Sequence, residues 1–458
     1  MLRLIDRRMH EPEDMQATEG QWQCDMGLLY RNRYNDKGGI MAKTTRVAIA
    51  HSDQDLGKPG DCAREQFVRV RAMVKQVVDG SVGGMQNIVQ RGQTVLIKVN
   101  CVVPSPPDAG FTTDPRMLEA LVELVKEQNP AKIQLGERSA QGGDTLYAME
   151  VCGIKAVAAR TGAELVAFEH VPFDMFTLPE PTAFRTFPVP RPVRDADVYI
   201  GLPKFKTHTH TRLTCALKLQ IGNLPDYEWM VASHGDDIWQ KIVNLTKAAK
   251  PKWVLVDSLW ACQGNGPFSA YPEDVIRDYN TILAGADPVA VDTVCEALAD
   301  WPNPGSIPYL QLAAAQGLGT NRLDDIEIVG VPIGKAKRSF KMPDNNLLGV
   351  FPNINVIMGA ACEPGCRALL RIQLDPLYQE GTLAKLKRPV TVFVGRQSEP
   401  LVRDVEGDVV VYGDCAKDMC AIYKTATFFG SRPDYPGCLP VYSNLEGGML
   451  DHIRSLVG

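Results

Sequence analysis

Apolar residues along the chain gather in short unbroken runs, and between those runs they recur at helical spacing. "RVAIAH" (46 to 51), "QTVLIKVN" (93 to 100) and "AKIQLGE" (131 to 137) read as buried strands. Between them, "REQFVRVRAMVKQVVDG" has the period of an amphipathic helix ending at glycine. Asp114 before Pro115 predicts an N-cap opening the helix "PRMLEALVELVKEQ". "DTLYAMEVCGIKAVAART" predicts one further helix. "AELVAFE", "ADVYIGLPKF", "PKWVLVDS" (251 to 258) and "IEIVGV" predict strands, and "NTILAGADPVAVDTVCEAL" a strand, a turn and a helix. Such βαβ alternation specifies an α/β fold, a mostly parallel sheet with helices on both faces.

The texture changes near residue 340. "INVIMGAACEPGC", "RPVTVFVG" and "DVVVYGDCA" are strands that each end near glycine, in a smaller C-terminal α+β region bearing clustered cysteines. The expected organisation is a loose tail over 1 to 44, an α/β core over 45 to 345 and a cysteine-bearing region over 346 to 458. Residues 1 to 40 are polar and without period, and Met41 is a candidate natural start. "MLRLIDRRMHEPEDMQ" lacks the apolar core of a signal peptide, so a cytoplasmic location is expected.

Composition narrows the function classes. The 458 residues are 45% hydrophobic and 22% charged, ordinary for a globular protein. A net charge of -5 gives no reason to expect nucleic acid as a partner, and no apolar run is long enough to span a membrane. Twelve cysteines without an export signal are not read as a disulfide framework.

Against that acidic background, "LPKFKTHTHTRLTCALKLQIGNLP" (202 to 225) holds three lysines, two histidines and an arginine just after an apolar strand. Ligands of open α/β sheets bind beyond the carboxyl ends of strands. Lys204, Lys206 and Lys218, with His208 and His210, therefore form a candidate field for a carboxylate or phosphate, a small anionic substrate. His208 is the candidate general acid or base, with Lys218 and Asp257 as catalytic partners, because His titrates near neutrality and Asp257 ends the strand "WVLVD". His210 and the turn residue Asn265 are candidate substrate contacts. His208 and His210, two apart on a strand, share a face on which a metal would also fit. The competing account of the same residues is a set of solvated loop cations. "GERSAQGGDT" offers a glycine-rich turn but fits neither the dinucleotide fingerprint nor the P-loop. Asp287 before Pro288 reads as an N-cap, and Asp292 one turn later as a pocket or loop contact.

Five cysteines, Cys362, Cys366, Cys415, Cys420 and Cys438, fall in about 77 residues beside glycines and prolines. Cys362, Cys366, Cys415 and Cys438 are the candidate ligands of a 4Fe–4S cluster, with Cys420 in reserve. Structural zinc lacks its usual CxxC knuckle, and unligated thiols are the remaining alternative.

The motifs "ADVYIGLPKFKTHTHTRLTCALKLQIGNLP", "LVDSLWACQGNGP" and "ILAGADPVAVDTV", in this order, resemble the family catalogued as domain of unknown function 362, over roughly residues 45 to 335. Many members of that family are iron–sulfur proteins, often through an appended ferredoxin-like module of dense CxxCxxC runs, whereas a single cluster in this chain rests on the spacing of its dispersed cysteines. This chain has no such run, so a ferredoxin-type cluster pair is not implied. "KTHTHTRLTCALKLQIGNLP" is also similar to a segment of nickel-dependent lactate racemases, which have two α/β parts. That similarity implies Lys218 and His208 near a small hydroxy acid or a nucleotide-like cofactor. Three functions follow as expectations: an iron–sulfur oxidoreductase-like enzyme, a non-catalytic electron carrier that docks a redox partner protein, and a racemase- or isomerase-like enzyme without iron.

Overall fold

The computed structural model describes residues 45–60, 63–140, 143–235, 237–267, 271–397, 405, 407–431 and 447–457. The tail expected over 1 to 44 lies outside them. Thr44–Gly458 form one compact unit.

The larger sheet is built from strands β1 (Thr45–His51), β2 (Thr94–Lys98), β3 (Lys132–Glu137) and β4 (Glu164–Ala167), then, past a separate two-stranded hairpin of β5 (Phe173–Thr177) and β6 (Thr186–Pro190), from β7 (Val198–Gly201), β8 (Lys204–His208), β9 (Arg212–Thr214), β10 (Trp253–Cys262), β11 (Val275–Ile276), β12 (Thr281–Gly285) and β13 (Ile326–Gly330). Its main path runs β13-β1-β12-β10-β7-β2-β3-β4. All neighbours on that path are parallel except those of β12, which runs antiparallel to both β1 and β10.

Alternation along each strand feeds two cores. On β1, Val47 and Ile49 enter one apolar cluster and Ala48 and Ala50 the other. Helices Arg64–Val82 and Pro115–Lys126 cover the second face, and helices Ile238–Ala248 and Pro288–Leu298 the first. Both predicted N-caps form. Asp114 accepts from the Arg116 amide, and Asp287 accepts from those of Val289 and Ala290.

The helix expected over 144 to 161 is two helices, Thr145–Val151 and Ile154–Thr161, because Gly153 between them has φ 79°. The single strand expected in "ADVYIGLPKF" is likewise divided into β7 and β8 around Leu202 and Pro203. Pro203 has no amide to donate to a ladder.

The C-terminal region forms its own parallel sheet, β14 (Ile354–Met358), β15 (Val390–Val394), β16 (Asp408–Tyr412) and β17 (Thr427–Phe429), in that spatial order. Val392, Val394 and Val410 fill one face and Phe393, Val409 and Val411 the other. Among the described residues, no helix is long and apolar enough to cross a membrane.

Candidate functional site

A cavity of about 140 Å³ opens beyond the carboxyl ends of β2, β3 and β8. It is close in size to the roughly 150 Å³ cavity that accepts a benzene ring, room for a small molecule. Lys98 ends β2 and Asn100 follows it, Glu137 ends β3 and Arg138 follows it, and Lys206 and His208 project from β8. The short helical turn Lys218–Asn223 brings Lys218. His234, directly after helix Tyr227–Ser233, brings a third imidazole. Leu369 and Ile372, from helix Ala368–Gln379 of the C-terminal region, supply apolar wall.

Period two places Lys204, Lys206 and His208 on one face of β8, yet they have different fates. Lys206 is 1% exposed and donates to the Phe111 carbonyl at 2.9 Å. Burial pulls its amine down to about 7. Lys218 has no hydrogen-bond partner among the described residues, and burial, with Lys206 close by, pulls it down to about 7 as well. Lys204 instead pairs with Asp257 at 3.0 Å, both fully buried, and does not line the cavity. Asp257 also accepts from the Asp114 amide at 2.7 Å, so this carboxylate ties strand to loop. Asn265 is held by Asp375 at 2.9 Å and by the Asp344 amide at 2.8 Å. The sequence-derived set thus divides. Lys206, His208, His210 and Lys218 meet around one cavity, while Lys204, Asp257 and Asn265 are engaged outside it.

Hydrogen bonding fixes the imidazole tautomers. The His210 amide donates to His208 Nδ1 at 3.0 Å, so neutral His208 carries its proton on Nε2. His210 Nδ1 lies 2.8 Å from the Pro364 carbonyl and His234 Nδ1 2.8 Å from the Met230 carbonyl. Carbonyls only accept, so both rings donate from Nδ1 and keep a lone pair on Nε2. Burial, reinforced by Lys218, pushes His208 and His234 well below the usual imidazole range, and burial holds His210 at about 4. The rings stand in a row, with centroids 5.4 Å apart from His208 to His210 and 5.7 Å from His210 to His234.

The one carboxylate on the wall, Glu137, forms a buried ion pair with Lys98 and accepts the Cys101 and Arg138 amides. Gly222 packs against this pair, and a Cβ there would collide with the Glu137 carboxylate and the Lys98 amine. Asn100 Oδ1 and Thr214 Oγ1, both buried, have no hydrogen-bond partner among the described residues and border the cavity. A polar ligand satisfies such orphans. Asp292 lies behind the site. Its carboxylate accepts the Ala216 and Leu217 amides at 2.7 and 3.1 Å, immediately before Lys218.

Sequence reasoning missed His234, a lone histidine in a loop, and did not single out Lys98 or Glu137. Their signal was a charge closing an apolar strand, in "LIKVN" and "QLGE".

The cysteine loops share one edge of the smaller sheet. Cys362 and Cys366 follow β14, and Cys415 follows β16, both at carboxyl ends of parallel strands. Cys362 and Cys415 are exposed, Cys420 half-buried and Cys366 buried. Cys438 lies outside the described residues. Among the described residues, the only three ligand groups within 4.8 Å of one another are those of Asp144, Glu169 and His170, so Cys362, Cys366, Cys415 and Cys420 form no single-ion cage of that size among themselves. The Cys362–Cys366 loop reaches the cavity directly, because Pro364 accepts from His210.

Comparison with known proteins agrees with the family resemblance. Residues 95–297 match the family model described as Domain of unknown function (DUF362). A thylakoid-associated protein of Synechocystis sp. is 28% identical over 255 residues, covering 52% of this chain and 72% of the relative. Among solved structures, lactate racemase apoprotein from Thermoanaerobacterium thermosaccharolyticum aligns with a TM-score of 0.36 at 12% identity, over 57% of this chain and 59% of that one, less than two thirds of its length. A protein from Thermotoga maritima aligns with a TM-score of 0.35 at 10% identity, over 81% of this chain and 92% of that one.

Proposed function

We propose that the protein is an enzyme that binds a small anionic substrate in this cavity and moves a proton on and off it. One observation carries this reading: one imidazole with a donor Nε2 and two with acceptor Nε2 border the same cavity as two buried lysines. Lys206 and Lys218 hold the anion. The Nε2–H of His208 donates a hydrogen bond that polarises the substrate, and the Nε2 of His210 or His234 takes and returns a proton. A donor and acceptors facing one ligand suit isomerisation or racemisation beside a carboxylate, with no cluster required.

The lysines give this reading a pH signature. With both amines near 7, they are charged below neutrality and lose charge above it. Affinity for acetate or inorganic phosphate is therefore expected to fall above pH 7, by up to about tenfold per unit for each lysine that must be charged. A bound anion raises both amines, so binding near pH 8 takes up protons. Calorimetry in two buffers of different ionisation enthalpy reads that uptake directly. Binding without proton uptake, or affinity flat between pH 6 and 9, rejects the assignment.

A second proposal concerns the cysteines. Cys362, Cys366 and Cys415, grouped at one sheet edge, are proposed to hold, together with Cys438, a 4Fe–4S cluster, with an oxidoreductase-like or electron-carrying role. The contact of His210 with Pro364, between Cys362 and Cys366, supports a link between that edge and the cavity. Anaerobically purified protein is expected to contain iron and acid-labile sulfide in near-equal amounts, lost in Cys362→Ala. Protein free of both after reconstitution, with anion binding intact, leaves the acid–base reading alone.

A further inference from the structure

We propose that Lys218 is a nucleophile that condenses with the carbonyl of a small 2-oxo acid to form an imine inside the cavity. This rests on the reading of the cavity as a small-anion site and names its substrate class.

Geometry separates the two lysines. The Lys206 amine is tied to the Phe111 carbonyl and 1% exposed. Lys218 is 9% exposed, borders the cavity and has no hydrogen-bond partner among the described residues. An ammonium ion gains most from hydrogen bonds, so a lysine without them is the one whose neutral amine is least disfavoured. Apolar Leu219, Ile221, Met230 and Leu369 face the same space. Desolvation together with a neighbouring cation is a known way to activate a lysine for imine chemistry. Burial and Lys206 hold the Lys218 amine at about 7, so much of it is unprotonated at neutral pH.

The chemistry balances without a redox partner. The oxo-acid carboxylate pairs with Lys206. The Lys218 Nζ lone pair forms a bond to the carbonyl carbon, and the carbonyl electron pair moves to oxygen. The imidazoles relay the two amine protons to that oxygen, which leaves as water while the nitrogen lone pair closes the C=N bond. Amine and carbonyl become imine and one water. The imine then draws electrons from the adjacent carbon, which makes a proton there easier for His210 or His234 to remove.

The test is reductive trapping on the full chain. Pyruvate, 2-oxobutyrate and 2-oxoglutarate are each added with sodium borohydride at pH 7.5, and the adduct is mapped by peptide mass spectrometry. At least one acid is expected to give a single reduced adduct on Lys218, suppressed by excess acetate and absent from Lys218→Arg. Lys206→Met is expected to keep modification at Lys218 but slow it at least tenfold. No adduct with any of the three, or adducts spread over surface lysines such as Lys75, overturns the proposal. Calorimetry with acetate on the same samples separates the failures. Acetate binding without trapping sinks the imine and spares the anion site, whereas loss of both sinks the reading beneath it. A cooperative urea-unfolding transition matching that of the unaltered protein shows that Lys218→Arg is folded.

Discussion

Asp257→Ala is expected to destabilise the protein by about 3–5 kcal/mol, the range for breaking one side of a buried ion pair. Lys204 and Asp257 are both fully buried, 3.0 Å apart. Truncating Asp257 strands the Lys204 ammonium in the interior and removes the acceptor of the Asp114 amide. Asp257→Asn keeps an acceptor for that amide, so it is expected to cost less. The double variant Lys204→Met with Asp257→Leu removes both charges and is expected to recover half or more of the loss. Urea unfolding of the four proteins measures each value. A loss below about 1 kcal/mol for Asp257→Ala would put this pair in the range of exposed surface pairs and contradict its structural role.

Lys206→Met is expected to weaken binding of acetate or inorganic phosphate by about 30- to 150-fold, equivalent to about 2–3 kcal/mol for a hydrogen bond to a charged group. Stability should hardly fall, because the substitution gives up one bond to the Phe111 carbonyl but also a buried amine that burial already disfavours. The contrast with Asp257 is the informative part. Two lysines two residues apart on one strand face are expected to differ, one in folding and one in binding. Calorimetric titration beside urea unfolding separates the effects, and equal anion affinity in Lys206→Met and the unaltered protein would remove Lys206 from the site.

That contrast marks where sequence stops being informative. Lys204, Lys206 and His208 share a period-two face, so the sequence treats them alike. Only Asp257, 53 positions away, decides which lysine is neutralised. The group His208, His210 and Lys218 was legible because polar residues crowd behind an apolar strand, where α/β sheets bind ligands. His234 carries no pattern of its own and joins the site because helix Tyr227–Ser233 ends there. The fold was legible where apolar runs are long, as in β1, β2 and β10. The reversed direction of β12 was not, since an apolar run reads the same either way and pairing sense depends on tertiary connection. The hairpin β5–β6 escaped notice because Pro188 and Pro190 interrupt its second strand. The cysteines showed their spacing but not their setting. The structure puts Cys366 in an apolar core and Cys362 and Cys415 at the surface.

The most direct test of the central claim, a proton-transfer site for small anions, is deuterium incorporation. Two- to six-carbon 2-hydroxy and 2-oxo carboxylates are incubated with the protein in deuterium oxide, and exchange at carbons near the carboxylate is followed by proton NMR. At least one acid is expected to gain deuterium at a rate proportional to protein concentration, and His208→Gln is expected to slow this at least a hundredfold while acetate still binds. If acids bind with the expected pH dependence and none exchanges, the cavity is a binding site without acid–base chemistry, and the enzyme assignment is contradicted.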